Sequence, residues 1–297
     1  MGVRSLIEKL VAGGPVLTDG GWGTELQARG LAASEIGDLW NLSHPERVEE
    51  VARAYVDAGS RVILTNTFRA NRIALGEHVD PGRVRDINWA GVEISRRAAG
   101  ERALVYASIG PSGKMLITGQ VEESGLSAAF TEQSRALAEA GADALVVETM
   151  TDLVEARIAV EAAVATGLPV VACMAFGAGR DGDRTIMGVT PREAAVELIG
   201  AGAQVIGANC GIGIEQSVGI CEAFASATER PIWIKPNAGI PELADGKIVY
   251  RMDPETFAGH IPKLVAAKAS FIGGCCGTSP KFVEALRRRL EHHRALS

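Results

Sequence analysis

Long apolar runs are missing from this chain of 297 residues, and none approaches the roughly 18–20 that a bilayer crossing needs. A basic stripe is missing too. The formal net charge is −6 and the pI near 5.5, which argues against nucleic acid as a partner. No Gly-x-Gly-x-x-Gly follows the first apolar run, so the fingerprint of a dinucleotide-binding open sheet is absent. No linker, low-complexity tract or block of one charge sign divides the chain, so residues 1–297 are expected to form one domain. The start, "MGVRSLIEKLVAGG", carries charges within its apolar pattern and reads as an amphipathic helix rather than a signal peptide. Gly2 alone is no myristoylation signal, because Leu6 stands where Ser or Thr is required. A cytoplasmic protein is expected, and there cysteines serve metals or catalysis more often than disulfides.

Cysteine itself is scarce. There are five, yet two are adjacent in "FIGGCCGTSP". Their surroundings give them meaning. Eight short runs recur, nearly all apolar: "PVLTDG", "RVILTNTF", "ALVYASIG", "ALVVETM", "PVVACMAFG", "QVIGANCG", "PIWIKPNAG" and "SFIGGCCG". Continuous apolar runs of this length suit strands covered on both faces. Helical patterns lie between them. Val48, Val51, Ala52, Tyr55 and Val56 fall on one helix face, with Ser43 and Glu46 as a capping box and Gly59 as the stop. Thr190, Pro191 and Glu193 repeat the device, and Pro254 and Pro280 mark two further starts. Eight strands alternating with helices predict a single (β/α)8 TIM-type barrel.

Chemistry in such a barrel sits at the C-terminal ends of the strands. Those ends carry Asp19–Gly20, Thr65–Asn66–Thr67, "SIGPSG", Glu148–Thr149, Asn209–Cys210, Lys235–Pro236–Asn237 and Cys275–Cys276. Three of the five cysteines thus meet one rim, where three thiolates suit Zn2+ and leave its fourth position open. Cys173, mid-strand, and Cys221, in a helix, read as core residues. The five histidines lie in helical segments and read as surface. Asp19 and Glu148 suit acid–base work, capture of an ammonium group, or plain structural pairing. Lys235 raises a Schiff-base lysine, hence a barrel lyase, as a rival. The long polar loops 112–125 and 177–188 are expected to cover the rim.

Together, "DGGWGTEL", "LTNTF", "SIGPSG", "VVETM", "GANCGIG", "KPNAGIPE" and "IGGCCGTSP" resemble the zinc-dependent homocysteine S-methyltransferases. That group includes betaine–homocysteine methyltransferase, the S-methylmethionine-dependent enzymes and the homocysteine-binding module of cobalamin-dependent methionine synthase. The resemblance implies a (β/α)8 barrel whose zinc is held by Cys210, Cys275 and Cys276. It implies that Asp19 and Glu148 meet the ammonium of homocysteine. Gly20, through its backbone, and Thr67 would meet the carboxylate, Asn209 would adjoin them, and Asn237 would approach the metal's open position. The donor is left open among S-methylmethionine, S-adenosylmethionine, betaine and a methylcorrinoid on a separate protein. The chain stops soon after the eighth run, so folate and cobalamin modules, or the betaine enzyme's C-terminal extension, are not expected within it. A non-catalytic zinc- or thiol-bearing binding protein, whose rim only captures a ligand, is a third reading.

Overall fold

A computed structural model describes residues 3–76, 79–244 and 247–296. Eight parallel strands form the barrel: β1 Val16–Leu17, β2 Val62–Leu64, β3 Leu104–Ile109, β4 Ala144–Met150, β5 Val170–Met174, β6 Val205–Gly213, β7 Ile232–Asn237 and β8 Ala269–Ile272. From β2 to β8 each pairs with its sequence neighbour, and β8 pairs with β1. Arg61 N–H donates to Leu17 O at 2.8 Å, which joins β1 to β2 at the remaining seam.

Two apolar layers account for the expected composition of the strands. One lies between strands and outer helices. The other fills the barrel, with Val16, Val62, Tyr106, Val146, Cys173, Trp233 and Phe271. Tyr106, Trp233 and Phe271 pack in sequence, with ring centroids 6.2 and 5.1 Å apart. The N-terminal helix Val3–Val11 sets Ile7 against this inner layer and closes the N-terminal end. Each fully buried side chain of this size stabilises the fold by about 1.5–3 kcal/mol. Because strand side chains alternate, the residues above these apolar layers point inward as well. They are Ser108 above Tyr106, Glu148 above Val146, and Lys235 above Trp233. Asn209 is the register partner of Lys235. A polar floor therefore sits on an apolar plug.

Helix signals hold in most places. Thr190 and Glu193 form a full capping box, Pro191 opens that helix, and Gly59 closes Pro45–Ala58 at φ 110°. The cap expected at Ser43 is not formed. Trp40–Ser43 is itself a helical turn, so Ser43 Oγ donates back to Leu39 O and His44 takes the cap position. The histidines are also less exposed than expected. His44 packs on Trp40 at 4.7 Å, and His260 and His293 are half-buried. Of the other two, His292 is exposed and His78 lies outside the described residues. No helix among the described residues is long and apolar enough to cross a membrane.

Candidate metal and acceptor site

The C-terminal ends of β6 and β8 bring three cysteines together. Cys210, Cys275 and Cys276 place all their sulfurs within 4.8 Å of one another. Cys210 Sγ and Cys276 Sγ are 3.8 Å apart. A tetrahedral zinc with Zn–S bonds of about 2.3 Å needs sulfurs about 3.8 Å apart, whereas a disulfide needs about 2.05 Å. The donor set and spacing therefore fit a three-thiolate metal centre.

Two strand irregularities build this corner. Asn209 pairs with Lys235 and Gly213 with Asn237, so β6 spends residues 210–212 where β7 spends only Pro236. β4 similarly fits Glu148 and Thr149 opposite Cys173 alone. Within the bulges, Cys210 and Thr149 take left-handed backbone, at φ 57° and 61°. Such conformations cost about 1–3 kcal/mol each unless surroundings impose them. Here Asn209 does so: its Oδ1 accepts from Thr149 N–H at 2.7 Å, and its Nδ2 donates to Thr149 Oγ1 at 2.7 Å. The glycines around Cys275 and Cys276 answer to close approach more than to turning. A Cβ on Gly273 would lie 2.0 Å from Thr18 Oγ1, and one on Gly274 2.4 Å from Thr278 Oγ1. Only Gly277, at φ 80°, has left-handed backbone in that run.

Cys210 carries the first negative charge of the trio. Hydrogen bonds from the Cys275 and Cys276 thiols, then Gly211 N–H and the Asn237 amide, push it down to about 3. Pairing with Cys210 holds the other two high, Cys276 at about 11. Cys221 is pushed up to about 12 by burial, and buried Cys173 is also raised, so both remain core thiols. Asn237 also accepts from Cys276 N–H at 3.1 Å, bracing the trio from β7.

Beside the sulfurs opens a cavity of about 370 Å3, bordered by Gly20, Trp22, Thr65, Ser108, Glu148, Thr149, Lys235 and all three cysteines. Glu148 is its inner carboxylate. Ser108 Oγ donates to its Oε1 at 2.5 Å and Asn209 Nδ2 to its Oε2 at 3.2 Å. Burial raises its pKa, with Lys235 and Ser108 pulling the other way. Asp19, Thr67, Asn209 and Asn237 stand behind this lining. Asp19 is fully buried: Trp22 Nε1 and Leu64 N–H each donate to its Oδ2 at 2.7 Å, and Lys235 Nζ holds its Oδ1. Thr67 donates to Ser108 O at 2.7 Å. Burial works against the Lys235 ammonium, but Asp19 and Glu148 overcome it and raise its pKa.

Sequence reasoning overlooked several participants. Ser108 and Trp22 lay inside quoted motifs without a role. Tyr250 bore no local signal; it follows a two-stranded hairpin, Glu242–Ala244 with Lys247–Val249. Its ring packs over Gly277, and burial raises its pKa, with the neighbouring cysteines, Cys276 foremost, adding to the rise. The loops 112–125 and 177–188 do not border the cavity; segments after β1 and β2 do, through Leu31, Asp38, Phe68 and Arg69.

The sequence matches the profile of a family described as homocysteine S-methyltransferase over residues 16–290. It is similar to methionine synthase of Mycobacterium tuberculosis, 30% identical over 284 residues, covering 89% of this chain and 24% of that protein. Methionine synthase of Mycobacterium leprae is 28% identical over 299 residues, with 95% and 24% covered. The chain thus spans about a quarter of the length of these relatives. In structure it is similar to the metallated form of the homocysteine methyltransferase MmuM of Escherichia coli. That match has a TM-score of 0.78 and 26% identity, over 97% of this chain and 99% of that one.

Proposed function

Since the chain belongs to the homocysteine S-methyltransferase family, we propose that it moves a methyl group to a thiol acceptor, homocysteine, giving methionine. Zn2+ is the proposed metal, held by Cys210, Cys275 and Cys276, and the reading takes residues 1–297 as one barrel domain. Its main support is the convergence of these three sulfurs beside a cavity that also holds Glu148 and Gly20. A free thiol is mostly protonated at neutral pH. Held by these three cysteines, zinc would supply the Lewis acidity that keeps an acceptor thiol deprotonated.

The chain's own residues bind and aim the acceptor. Glu148 receives its ammonium and the Gly20 backbone its carboxylate. Asn209 and Ser108 fix the Glu148 carboxylate, and Thr67, through Ser108, supports that wall. Asn237 braces Cys276. Asp19 contributes through its contact with Lys235. The acceptor sulfur forms a bond to the methyl carbon, the bond from methyl to donor breaks, and that electron pair leaves with the donor. The donor is S-methylmethionine, S-adenosylmethionine, betaine or a methylcorrinoid borne by a separate protein. Free thiols at the rim suit a reducing compartment, so cytoplasmic placement belongs to the proposal.

The lyase reading loses support, because Lys235 is ion-paired and favoured as ammonium, which is no nucleophile. Borohydride treatment with carbonyl compounds should leave Lys235 unlabelled. The decisive experiment is a panel of those four donors with homocysteine as acceptor, read by methionine formation on zinc-loaded protein. Methionine from none of them would overturn the assignment.

A further inference from the structure

Lys235 is a full ammonium-bearing side chain, 2% exposed, at the base of the acceptor cavity. It reaches there because strand alternation turns Trp233 and Lys235 to the same interior, and its Nζ lies 5.8 Å from the Trp233 ring. Its partner Asp19 has no exposed surface and no idle oxygen. A ligand ammonium arriving at Asp19 would have to displace Lys235, or crowd a second positive charge against one carboxylate already neutralised. Either outcome strands a charge out of water. Glu148 is different. It borders the cavity, and its two oxygens accept from neutral donors, Ser108 and Asn209.

We infer that Lys235 is a specificity-determining residue: its ammonium closes Asp19 to the acceptor, so that of the two carboxylates Asp19 and Glu148 only Glu148 can receive an acceptor's ammonium. This rests on the thiol methyltransferase reading and refines its substrate class. The acceptor is a thiol whose α-ammonium is held at a single point. Of Asp19 and Glu148, only Glu148 then discriminates against thiol carboxylates without an ammonium.

Binding calorimetry on the zinc-loaded protein tests this without a methyl donor. Two ligands are compared, homocysteine and 4-mercaptobutanoate, which has the same chain but no amine. The readout is their affinity ratio. In Glu148→Gln, with Lys235 intact, the ratio should fall to about one. A ratio still above about ten there means that a carboxylate other than Glu148 receives the ammonium, and overturns the inference. In Lys235→Met, Asp19 is released and the ratio should rise at least about tenfold over the unsubstituted protein. In Asp19→Asn/Lys235→Met, which carries no unpaired charge, it should return to the starting value. A ratio unmoved by Lys235→Met, with melting temperature preserved, also overturns the inference. Zinc-loaded protein that binds neither thiol refutes the thiol-acceptor reading and this inference with it.

Discussion

Cys210 Sγ stands 3.8 Å from Cys276 Sγ although 66 residues separate them along the chain. That spacing matches one edge of a zinc-centred tetrahedron and is nearly twice a sulfur–sulfur bond. Cys276→Ser should therefore reduce bound zinc from about one per chain to a small fraction, measured by metal analysis after dialysis. Methyl transfer should fall at least about 100-fold, since ligand loss should exceed the 10–100-fold typical of outer partners. The barrel core is remote from the change, so the melting temperature of the zinc-free forms should barely move. Full zinc occupancy in Cys276→Ser would refute the three-sulfur assignment.

The same proximity makes the trio vulnerable once metal leaves. Metal binding by thiolates competes with protons and with oxidation. Incubation with chelator in air should abolish activity and lower the free-thiol count by two, as two rim sulfurs close on each other. Reductant plus Zn2+ should restore both. Activity indifferent to chelator, air and reductant would count against a thiolate metal site.

Asn209 holds Thr149 in left-handed backbone and steadies Glu148 without bordering the cavity. Asn209→Ala should keep its zinc and lower kcat/KM for homocysteine by about 10–100-fold, the usual effect of an outer partner. Loss of zinc in step with activity would instead assign Asn209 to the metal centre alone.

Asp38, at the cavity mouth, is buried and pushed from 3.8 up to about 6, chiefly by burial, against the pull of Arg69 N–H. The folded protein thus keeps a proton that the unfolded chain has released between those values. Its contribution is complete at the acid end and lost as pH rises to about 6. Over that window it amounts to about 3 kcal/mol at 1.36 kcal/mol per pH unit. Chemical denaturation of the unsubstituted protein and Asp38→Asn at pH 4 and pH 6.5 isolates it. The stability difference between the two proteins should shift by about 2 kcal/mol between these pH values, against the unsubstituted protein at the higher pH. A constant difference would mean that Asp38 titrates normally.

Much of the fold was legible because its causes are local. Apolar runs, Pro191 at a helix start and Gly59 at a helix end each act within a few residues. The rim cysteines were legible because barrel topology converts position along a strand into position in space. What stayed hidden depends on contacts across the barrel. Alternation carries Lys235 inward, but its capture of Asp19 needs β1 and β7 brought together around β8. Tyr250 reaches Gly277 only because a hairpin folds back after β7. Ser43 failed as a cap for a local reason: the residues before it were themselves helical.

The bulge in β6 has a consequence for anyone transplanting this centre. Residues 210–212 face a single residue of β7, so chain length as well as side-chain identity carries the site. Painting three cysteines onto a regular barrel at matching positions would aim one of them into a wall. A working graft needs two inserted residues after the asparagine, and Gly211 among them. A Cβ at Gly211, which has φ 69°, would fall 1.8 Å from Phe176 O.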